Sequence, residues 1–411
     1  DLFFRRDFSS RHALELQVVG TLSSNDYSRG NTYIYPASPE DTYVMDVESR
    51  RRSLISEASY TFKASQATSL SAGFQNTVSH SRNTYKTTGY RPVLTENNNY
   101  IYARLGQQIG NVYLALASGA KLFWIKNDLN RRHFIRNISS AQVSWKISGA
   151  WSLQGSFRYS PDIPSLTALT DCPQQTTPYL ISNGNPDLKV AEAFAWQLGA
   201  SWNYRKFAAN LRLSYTDVNN SVISDVTYIG DHMFLSRSVN ARDNRVFRSD
   251  LRMKLSGVAG FGANANLSLA RFHSAGEDWS HNLTSFSAMI NLWWNHGPFT
   301  LSYGRSILPG KYLSGHMVAR NENYDELQFE YRPDSHWTIG ASWMYMFDRK
   351  GTRYPSWDYS RVNPSYTDRY ISDNSNMVVL SVSYNADFGS IFRTGRRSLE
   401  NSDSSSSILK M

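Results

Sequence analysis

The stretch EAFAWQLGASWNYRKFAANLRLSYTD, residues 192–217, determines the fold of this chain. Every second residue is apolar, and the alternation restarts after Arg205-Lys206. The apolar positions are Phe194, Trp196, Leu198, Ala200, Trp202, Tyr204, Phe207, Ala209, Leu211, Leu213 and Tyr215. A period of two residues indicates strands with one apolar and one polar face. Two arms of about ten residues, joined by a two-residue turn, are typical of a transmembrane β-barrel hairpin.

The composition agrees with a barrel, in which every second residue is polar. The 411 residues are 14% aromatic, with a mean hydropathy of -0.47 and a net charge of +9. No run of about 18 apolar residues exists, so the sequence predicts no transmembrane helix. The basic residues are scattered and form no nucleic-acid reader motif, so we expect no nucleic-acid partner. The positive charge instead suits anionic ligands or anionic lipid head groups.

Short turns and long polar segments alternate along the chain, as in outer-membrane barrels with short periplasmic turns and long extracellular loops. The short turns fall at 64–66, 110–111, 148–150, 205–206, 257–260, 295–297 and 333–335. The long segments are 24–50, 81–97, 126–136, 162–191, 220–243, 274–283, 309–321 and 349–374. The arms between them predict an all-β, antiparallel transmembrane barrel with about sixteen strands in this chain, an even number as in bacterial barrels.

Aromatic and charged residues follow the same alternation. Aromatic residues crowd the short turns and predict a girdle at the membrane interface. They are Phe62, Trp151, Tyr204, Phe207, Phe261, Trp294, Phe299, Tyr331 and Trp337. Charged residues on the polar parity are expected to face the lumen, because a Lys or Arg facing lipid at mid-membrane costs roughly 2–4 kcal/mol. They are Arg158, Arg212, Arg248, Arg252, Lys254, Glu326 and Glu330.

Two sets of residues are the candidate ligand-binding positions. The first lies in the segment 349–370, where aromatic and arginine side chains suit contacts with a sugar, peptide or aromatic ligand. It comprises Tyr354, Trp357, Tyr359, Arg361 and Tyr366. An equally weighted interpretation is a self-packed loop on the barrel rim. The second set comprises the lumenal residues Arg212, Arg248 and Arg252.

Other motifs favour structural interpretations. The run from Gly257 to Gly262 is interpreted as a turn, because no helix pattern follows it. His232, His273 and His281 lack metal-ligand spacing and are expected at the surface. Cys172 is the only cysteine, so it forms no intrachain disulfide and is interpreted as an incidental loop thiol. We expect no metal, no cofactor and no catalytic residues.

Two motifs resemble a known family. Gly184-Asn185-Pro186-Asp187-Leu188-Lys189, before an aromatic strand, resembles an element of TonB-dependent receptor barrels. The C-terminal residues 383–389, and 396–403 with Asn401-Ser402-Asp403, resemble a TonB-dependent-receptor-like family of outer-membrane barrels from Bacteroidetes. On its own chemistry, the first motif is a loop-to-strand junction. Met411 departs from the aromatic ending usual in such barrels.

The resemblance implies a receptor and transporter in the outer membrane of a Gram-negative bacterium. Members of the family carry 22 strands and an N-terminal plug, so we expect this chain to be the C-terminal part of such a barrel. Uptake of a sugar, peptide or metal chelate would be driven by a TonB-type protein acting through the plug. Outer-membrane lipids, and possible association with a surface lipoprotein, complete the expected partners. A passive porin and a barrel protease or lipase are the alternatives.

The expected domain organisation follows from the same pattern. Residues 1–11 are the end of a preceding strand and a periplasmic turn, residues 12–388 form the barrel strands and loops, and residues 389–411 form a Ser-rich periplasmic tail.

Overall fold

A computed structural model describes residues 1–386 apart from 37, 88, 127–130, 349 and 363. The expected tail at 389–411 lies outside the described residues. The elements are β1 (Leu2–Ser9), β2 (His12–Tyr35), β3 (Ser38–Lys63), β4 (Thr68–Tyr85), β5 (Val93–Ile109), β6 (Val112–Lys126), β7 (Arg131–Lys146), β8 (Trp151–Asp162), α1 (Leu166–Leu169), β9 (Gln174–Thr177), β10 (Leu180–Asn183), β11 (Ala191–Tyr204), β12 (Phe207–Asn219), β13 (Val222–Gly230), β14 (Met233–Asn240), β15 (Asp243–Val258), β16 (Phe261–Ala275), β17 (Ser280–His296), β18 (Phe299–Leu308), β19 (Lys311–Ser314), β20 (Met317–Arg320), β21 (Asp325–Tyr331), β22 (Trp337–Met344), β23 (Thr352–Asp358), β24 (Ser365–Ile371) and β25 (Met377–Tyr384). Among these elements, no helix is long and apolar enough to cross a bilayer.

Seventeen strands form one antiparallel sheet, which we call the wall. Each wall strand pairs with the next one along the chain, in the order β1 to β8, β11, β12, β15 to β18, β21, β22 and β25. This confirms the predicted all-β antiparallel barrel fold, with one strand more than the sixteen predicted. Leu2–Ser9, predicted as the tail of a strand, pairs with β2 along most of its length. Within the described residues, β1 and β25 are the two edges of the wall.

Turns of two to five residues join the wall strands at one end. All seven predicted short turns lie there. At the two-residue turns, Gly110 has a φ of 54° and Arg205 a φ of 51°. Positive φ gives tight hairpins the twist that matches their flanking strands. By the asymmetry of outer-membrane barrels, this end is the periplasmic one.

The outer face of the wall carries the large apolar side chains. Trp196 lies opposite Tyr215, and Tyr215 lies opposite Phe247, so one outward row crosses three strands. Near the short turns, aromatic rings of neighbouring strands pack against one another. The pairs are Trp151–Trp202 at 5.9 Å, Phe261–Trp294 at 6.0 Å, Phe299–Tyr331 at 4.9 Å and Trp337–Tyr384 at 4.7 Å between ring centroids. These pairs lie where the sequence predicted an aromatic girdle.

The predicted long loop at 24–50 is wrong for most of its length. Strands β2 and β3 have 24 and 26 residues and remain paired up to Tyr33 and Asp41. Polar residues face each other on both parities, with Ser24 opposite Arg50 and Asn25 opposite Ser49, so the pattern of alternation fades while the ladder of backbone hydrogen bonds continues. The hairpin therefore extends beyond the apolar band of the wall.

The other long connections build two small sheets at the end opposite the short turns. The first mouth sheet has the order β13-β14-β10-β9, and the second has the order β19-β20-β23-β24. The two sheets meet where the turn between β19 and β20 approaches β13: a Cβ placed on Gly315 would lie 3.3 Å from the Cβ of Ile223. We refer to the two mouth sheets, with the connecting residues 163–190, as the cap.

The cap packs on one face of the wall through three apolar clusters. They are Leu94, Ile125, Leu169 and Leu188; Met45, Val47, Tyr85 and Cys172; and Ala270, Phe272, Leu313 and Val318. Every wall residue in these clusters has the parity opposite to that of the exposed apolar side chains. Ala270 lies directly opposite Arg248, so the capped face is also the polar face. This face therefore lines the lumen, and the cap folds inward over it.

The segment Gly184–Lys189 fastens the cap to the wall. Asn185 donates from its side-chain amide to the carbonyl of Ser238 at 2.9 Å and accepts from Arg237 at 2.8 Å. Its backbone amide donates to the carbonyl of Ala168 at 2.6 Å. Leu188 is fully buried, and its carbonyl accepts from Arg132 of β7 at 3.0 Å. The interpretation of this motif as a loop-to-strand junction agrees with these contacts.

Candidate ligand site at the extracellular mouth

The predicted lumenal arginines lie on the inner face of the wall. Arg212 is directly opposite Asp250, and both line a cavity of about 680 Å³ together with Arg252. The Arg252 guanidinium donates to the side-chain oxygen of Asn266 at 2.8 Å. Arg248 shares the same face on β15 but lies outside the lining of this cavity. The cavity therefore brings together two of the three predicted arginines, with a carboxylate between them.

The rim of this cavity belongs to the connection that enters the second mouth sheet. Pro309, Gly310 and Asn321 contribute to the lining, and the Asn321 amide donates to the Gly310 carbonyl at 2.8 Å. The amide of Lys311 donates to the Ser285 hydroxyl on β17 at 2.7 Å. A movement of the second mouth sheet would thus change the upper border of the lumenal cavity.

The predicted loop at 349–370 is largely a β-hairpin, β23–β24, within the second mouth sheet. Tyr354 is half-buried and donates to the Glu322 carboxylate at 2.5 Å, while Asn374 donates to its hydroxyl at 2.9 Å. Burial, followed by the bond to Glu322, raises the pKa of Tyr354. Trp357 packs on the cluster of Phe272 and receives the Lys311 ammonium 4.5 Å from its ring centroid. Both aromatic side chains hold the hairpin in place.

The other three predicted residues of this hairpin are exposed. Tyr366 is 59% exposed and Tyr359 is 50% exposed. Arg361 forms an ion pair with Asp278 of the β16–β17 connection. The Tyr366 ring lies 5.6 Å from that of Trp357. Tyr359, Arg361 and Tyr366 therefore present polar and aromatic groups on the outer surface of the cap.

A histidine pair at the junction of the two mouth sheets was missed by the sequence interpretation, which placed His281 at the surface. The Nε2 of His281 lies 3.0 Å from the Nδ1 of His316, which is buried between β19 and β20. The Nε2 of His316 lies 3.4 Å from Asp225 of β13. Trp279 packs on the His316 ring at 4.1 Å between centroids. Burial, followed by the proximity of His316, lowers the pKa of His281, whereas Asp358 raises it.

The histidine pair joins the two mouth sheets. Throughout the described ranges, no group of three or more His, Cys, Asp or Glu side chains is arranged to hold a metal ion. The His316–Asp225 contact instead joins the second mouth sheet to the first. Only the separation of these residues along the chain hid this contact from sequence reasoning.

An antiparallel barrel wall with an apolar outer face and a polar, capped lumen defines an outer-membrane β-barrel protein of a Gram-negative bacterium. Residues 8–384 match the profile of the "Outer membrane protein beta-barrel family", and the chain belongs to this family. A search of curated proteins finds no match.

Solved structures with the same fold include a copper transporter and an iron transporter. The copper transporter OprC superposes with a TM-score of 0.69 at 12% identity over 93% of this chain and 64% of its own. The FrpB iron transporter from Neisseria meningitidis (F3-3 variant) superposes with a TM-score of 0.57 at 12% identity, over 91% of this chain and 68% of its own. P. aeruginosa FpvA bound to heterologous pyoverdines superposes with a TM-score of 0.62 at 9% identity, over 92% of this chain and 55% of its own. The chain thus spans less than two thirds of OprC and of FpvA.

Proposed function

We propose that the protein is an outer-membrane receptor and transporter that captures a nutrient at the capped mouth and admits it through a gated lumen. A TonB-type protein would supply the energy through a plug region, as the sequence resemblance implies. The names of similar structures include copper, iron and pyoverdine ligands, which favours a metal chelate as the nutrient. A sugar and a peptide are the other two candidate nutrients. The Bacteroidetes source is also inferred, from the C-terminal sequence motif at 383–389 and 396–403 only.

One observation carries the proposal: the long connections fold inward and pack on the lumenal face. A passive porin needs a permanently hydrated path between its two ends. Here Leu313 and Val318 of the second mouth sheet cover Ala270 and Phe272 of the wall. Apolar packing over a polar channel favours a gate that opens when a ligand binds.

The proposed ligand-contacting residues fall into two groups along the path. Tyr359, Tyr366 and Arg361 would meet the ligand first on the outer surface of the cap. The lumenal residues Arg212, Arg248 and Arg252 would contact its anionic groups after the cap moves, because guanidinium groups bind carboxylates and phosphates through paired hydrogen bonds. Tyr354 and Trp357 act by fixing the hairpin. A surface lipoprotein would assist capture of the ligand.

A disulfide between the two mouth sheets tests the gate. Ile223→Cys with Gly315→Cys, in a Cys172→Ser background, places two Cβ atoms 3.3 Å apart, close to the separation that a disulfide requires. The matched control is Ser224→Cys with Ser236→Cys, whose hydroxyl oxygens lie 3.2 Å apart within the first mouth sheet. The measurement is energy-dependent uptake by cells that carry equal amounts of assembled protein.

We expect the lock between the sheets to block uptake and a reductant to restore it. The control disulfide should leave uptake unchanged, because it joins two strands that already move together. Uptake that persists through the locked cap, or that is independent of cellular energy, would favour the passive porin.

A further inference from the structure

A row of basic residues crosses the outer face of the wall near its extracellular end. Each residue lies directly opposite the next on strands β3 to β7. The row is Arg52, His80, Thr95, Lys126 and Arg131. All of its charged members are exposed. A second pair, Arg50 opposite Arg82, lies two residues farther from the membrane. We refer to Arg50, Arg52, Arg82, Lys126 and Arg131 as the basic belt.

The basic belt lies at the upper border of the apolar band. On β3 the outward residues run from Phe62 at the short turn through Leu54 to Arg52, ten residues away. A strand rises about 3.4 Å per residue and is tilted by about 40° in such barrels, so ten residues cross about 26 Å. The apolar band of an outer-membrane barrel is about 25 Å tall. Arg52 and its row are therefore at the level of the lipid head groups.

Most of the positive charge of the belt has no carboxylate partner among the described residues. Directly opposed like charges destabilise a sheet, and Lys126 faces Arg131 while Arg50 faces Arg82. Glu48 pairs with Arg50 at 2.6 Å. Within residues 1–386 as described, no ion pair engages Arg52, Arg82, Lys126 or Arg131.

Another sector of the same face shows the contrast. On β12 to β16, Arg245 lies 3.6 Å from Asp217 and 3.7 Å from Asp243. His273 lies 2.9 Å from the other oxygen of Asp243. In that sector the basic groups have carboxylate partners from the chain. The positive charge without carboxylate partners is thus concentrated on β3 to β7. An anion that is not part of the protein would stabilise it.

The belt also contains a shaped depression. Lys126, Arg131 and His133 line a hollow of about 240 Å³ on the outer wall, with the Trp124 ring at its lower side. An ammonium, a guanidinium and an imidazole around one hollow supply the hydrogen-bond donors that a phosphate accepts. The Trp124 indole, directly opposite His133, lies at the interfacial level next to apolar wall surface.

We propose that the outer wall across β3 to β7 binds the phosphate-bearing head group of a lipid in the outer leaflet. The belt supplies cations at head-group height, and the apolar band beneath it receives the acyl chains. A free phosphate would satisfy the cations alone, whereas the lipid also covers the exposed Leu54 and Val78 at the next outward position and Ile135 one outward position further down. This role is independent of the transported ligand, because the belt lies on the face opposite to the lumen.

The proposal is tested by measuring, with native mass spectrometry, how tightly lipid A binds to the purified, detergent-solubilised protein. Two lipids are compared, bisphosphorylated lipid A and the same lipid A after removal of its phosphates. Inorganic pyrophosphate is tested separately as the free anion. The variant Arg52→Gln/Arg82→Gln/Lys126→Gln/Arg131→Gln removes the belt. Arg11→Gln/Lys63→Gln/Lys146→Gln/Arg205→Gln removes four exposed cations at the periplasmic end as the matched control.

We expect the unmodified protein to bind bisphosphorylated lipid A about tenfold tighter, or more, than the dephosphorylated lipid, since each basic residue near an anionic surface strengthens binding. The belt variant should lose this preference, and the periplasmic control should keep it. If the belt variant does not assemble, Lys126→Gln/Arg131→Gln should still reduce the preference severalfold. An unchanged preference in the belt variants, an equal loss in the control, or pyrophosphate binding as tight as lipid binding would overturn the proposal.

Discussion

The wall and the cap are built from the same type of strand but are held together differently. In the wall, Trp196, Tyr215 and Phe247 form one row across β11, β12 and β15, so each residue lies beside a residue of the next wall strand. In the cap, Leu188 and Leu313 pack on wall strands far from them in the chain. The wall depends on lipid on one side and on the ladder of backbone hydrogen bonds. The cap depends on a few buried side chains and polar contacts, so changes in the two regions should have different consequences.

The largest effect is expected when a charge enters the lipid-facing side of the wall. Leu211→Arg puts a guanidinium into the hydrocarbon near the middle of β12, at a cost of roughly 2–4 kcal/mol. Ser214→Arg adds the same group on the lumenal face, opposite Gln197. The fraction of heat-modifiable, membrane-assembled protein should fall sharply for the first variant and remain near that of the wild type for the second. Equal assembly of both would show that the inside and outside faces are assigned wrongly.

A cavity in the cap should loosen the cap and leave the wall intact. Leu188 is fully buried beside Leu94 and Ile125, and Leu188→Ala should remove about 2–5 kcal/mol from the packing of this segment. Hydrogen exchange should accelerate in residues 163–190 and stay slow in the wall strands. Leu198→Ala on the lipid-facing surface is the control, and it should not change exchange in the cap. Faster exchange across the whole wall would contradict the separation of the two regions.

The Asn185 junction should have a smaller effect of the same kind. Asn185→Ala removes the side-chain bonds to the part-buried Ser238 and Arg237, and leaving such partners unsatisfied costs about 1 kcal/mol. Asp187→Ala changes an exposed side chain two residues away and should be nearly neutral. Protease cleavage rates within residues 163–190 compare the two variants. Similar cleavage of both would remove the special role of Asn185.

The wall was predictable because its determinants are local. The alternation in residues 192–217 specifies which face of each strand is apolar, and the short turns separate the strands. Lumenal positions such as Arg212 follow from the same parity. The upper hairpin of β2 and β3 was not predicted, because polar residues on both faces leave no alternation to detect.

The cap could not be predicted in the same way. Its strands are short, and the order β9-β10-β14-β13 joins two separate connections of the chain. The aromatic segment 349–370 was correctly noticed but treated as one binding surface, whereas Tyr354 bonds to Glu322, Trp357 packs on Phe272, and Tyr366, directly opposite Trp357, is exposed. Contacts such as His281 with His316 depend on how β17, the β19–β20 turn and β13 meet, and residue spacing contains no signal for them.

The smallest effect expected is a pH dependence of the contact between the mouth sheets. The pKa of His281 is lowered in the closed cap, so the open cap binds a proton more readily. Closure is therefore fully favoured above the ordinary histidine pKa of about 6.5 and weakens as the pH falls below it. His316, Asp225, Asp358 and the Asp278–Arg361 pair are the neighbouring titratable and charged groups. The rate of Ile223→Cys/Gly315→Cys disulfide formation should decrease on acidification, and His281→Gln should reduce that decrease.

The inward-folded cap is tested most directly by thiol accessibility beneath it. Ala270→Cys lies under Leu313, whereas Ser268→Cys lies two residues lower on the same lumenal face, in the open cavity. Each is introduced into a Cys172→Ser background, and the rate of reaction with a water-soluble maleimide is measured on assembled protein. We predict that Ser268→Cys reacts about tenfold faster or more, because Ala270→Cys must wait for local opening of the cap. We also predict that Leu313→Ala narrows this difference. Equal rates at the two positions in the protein that retains Leu313 would contradict a cap that closes over the lumenal face.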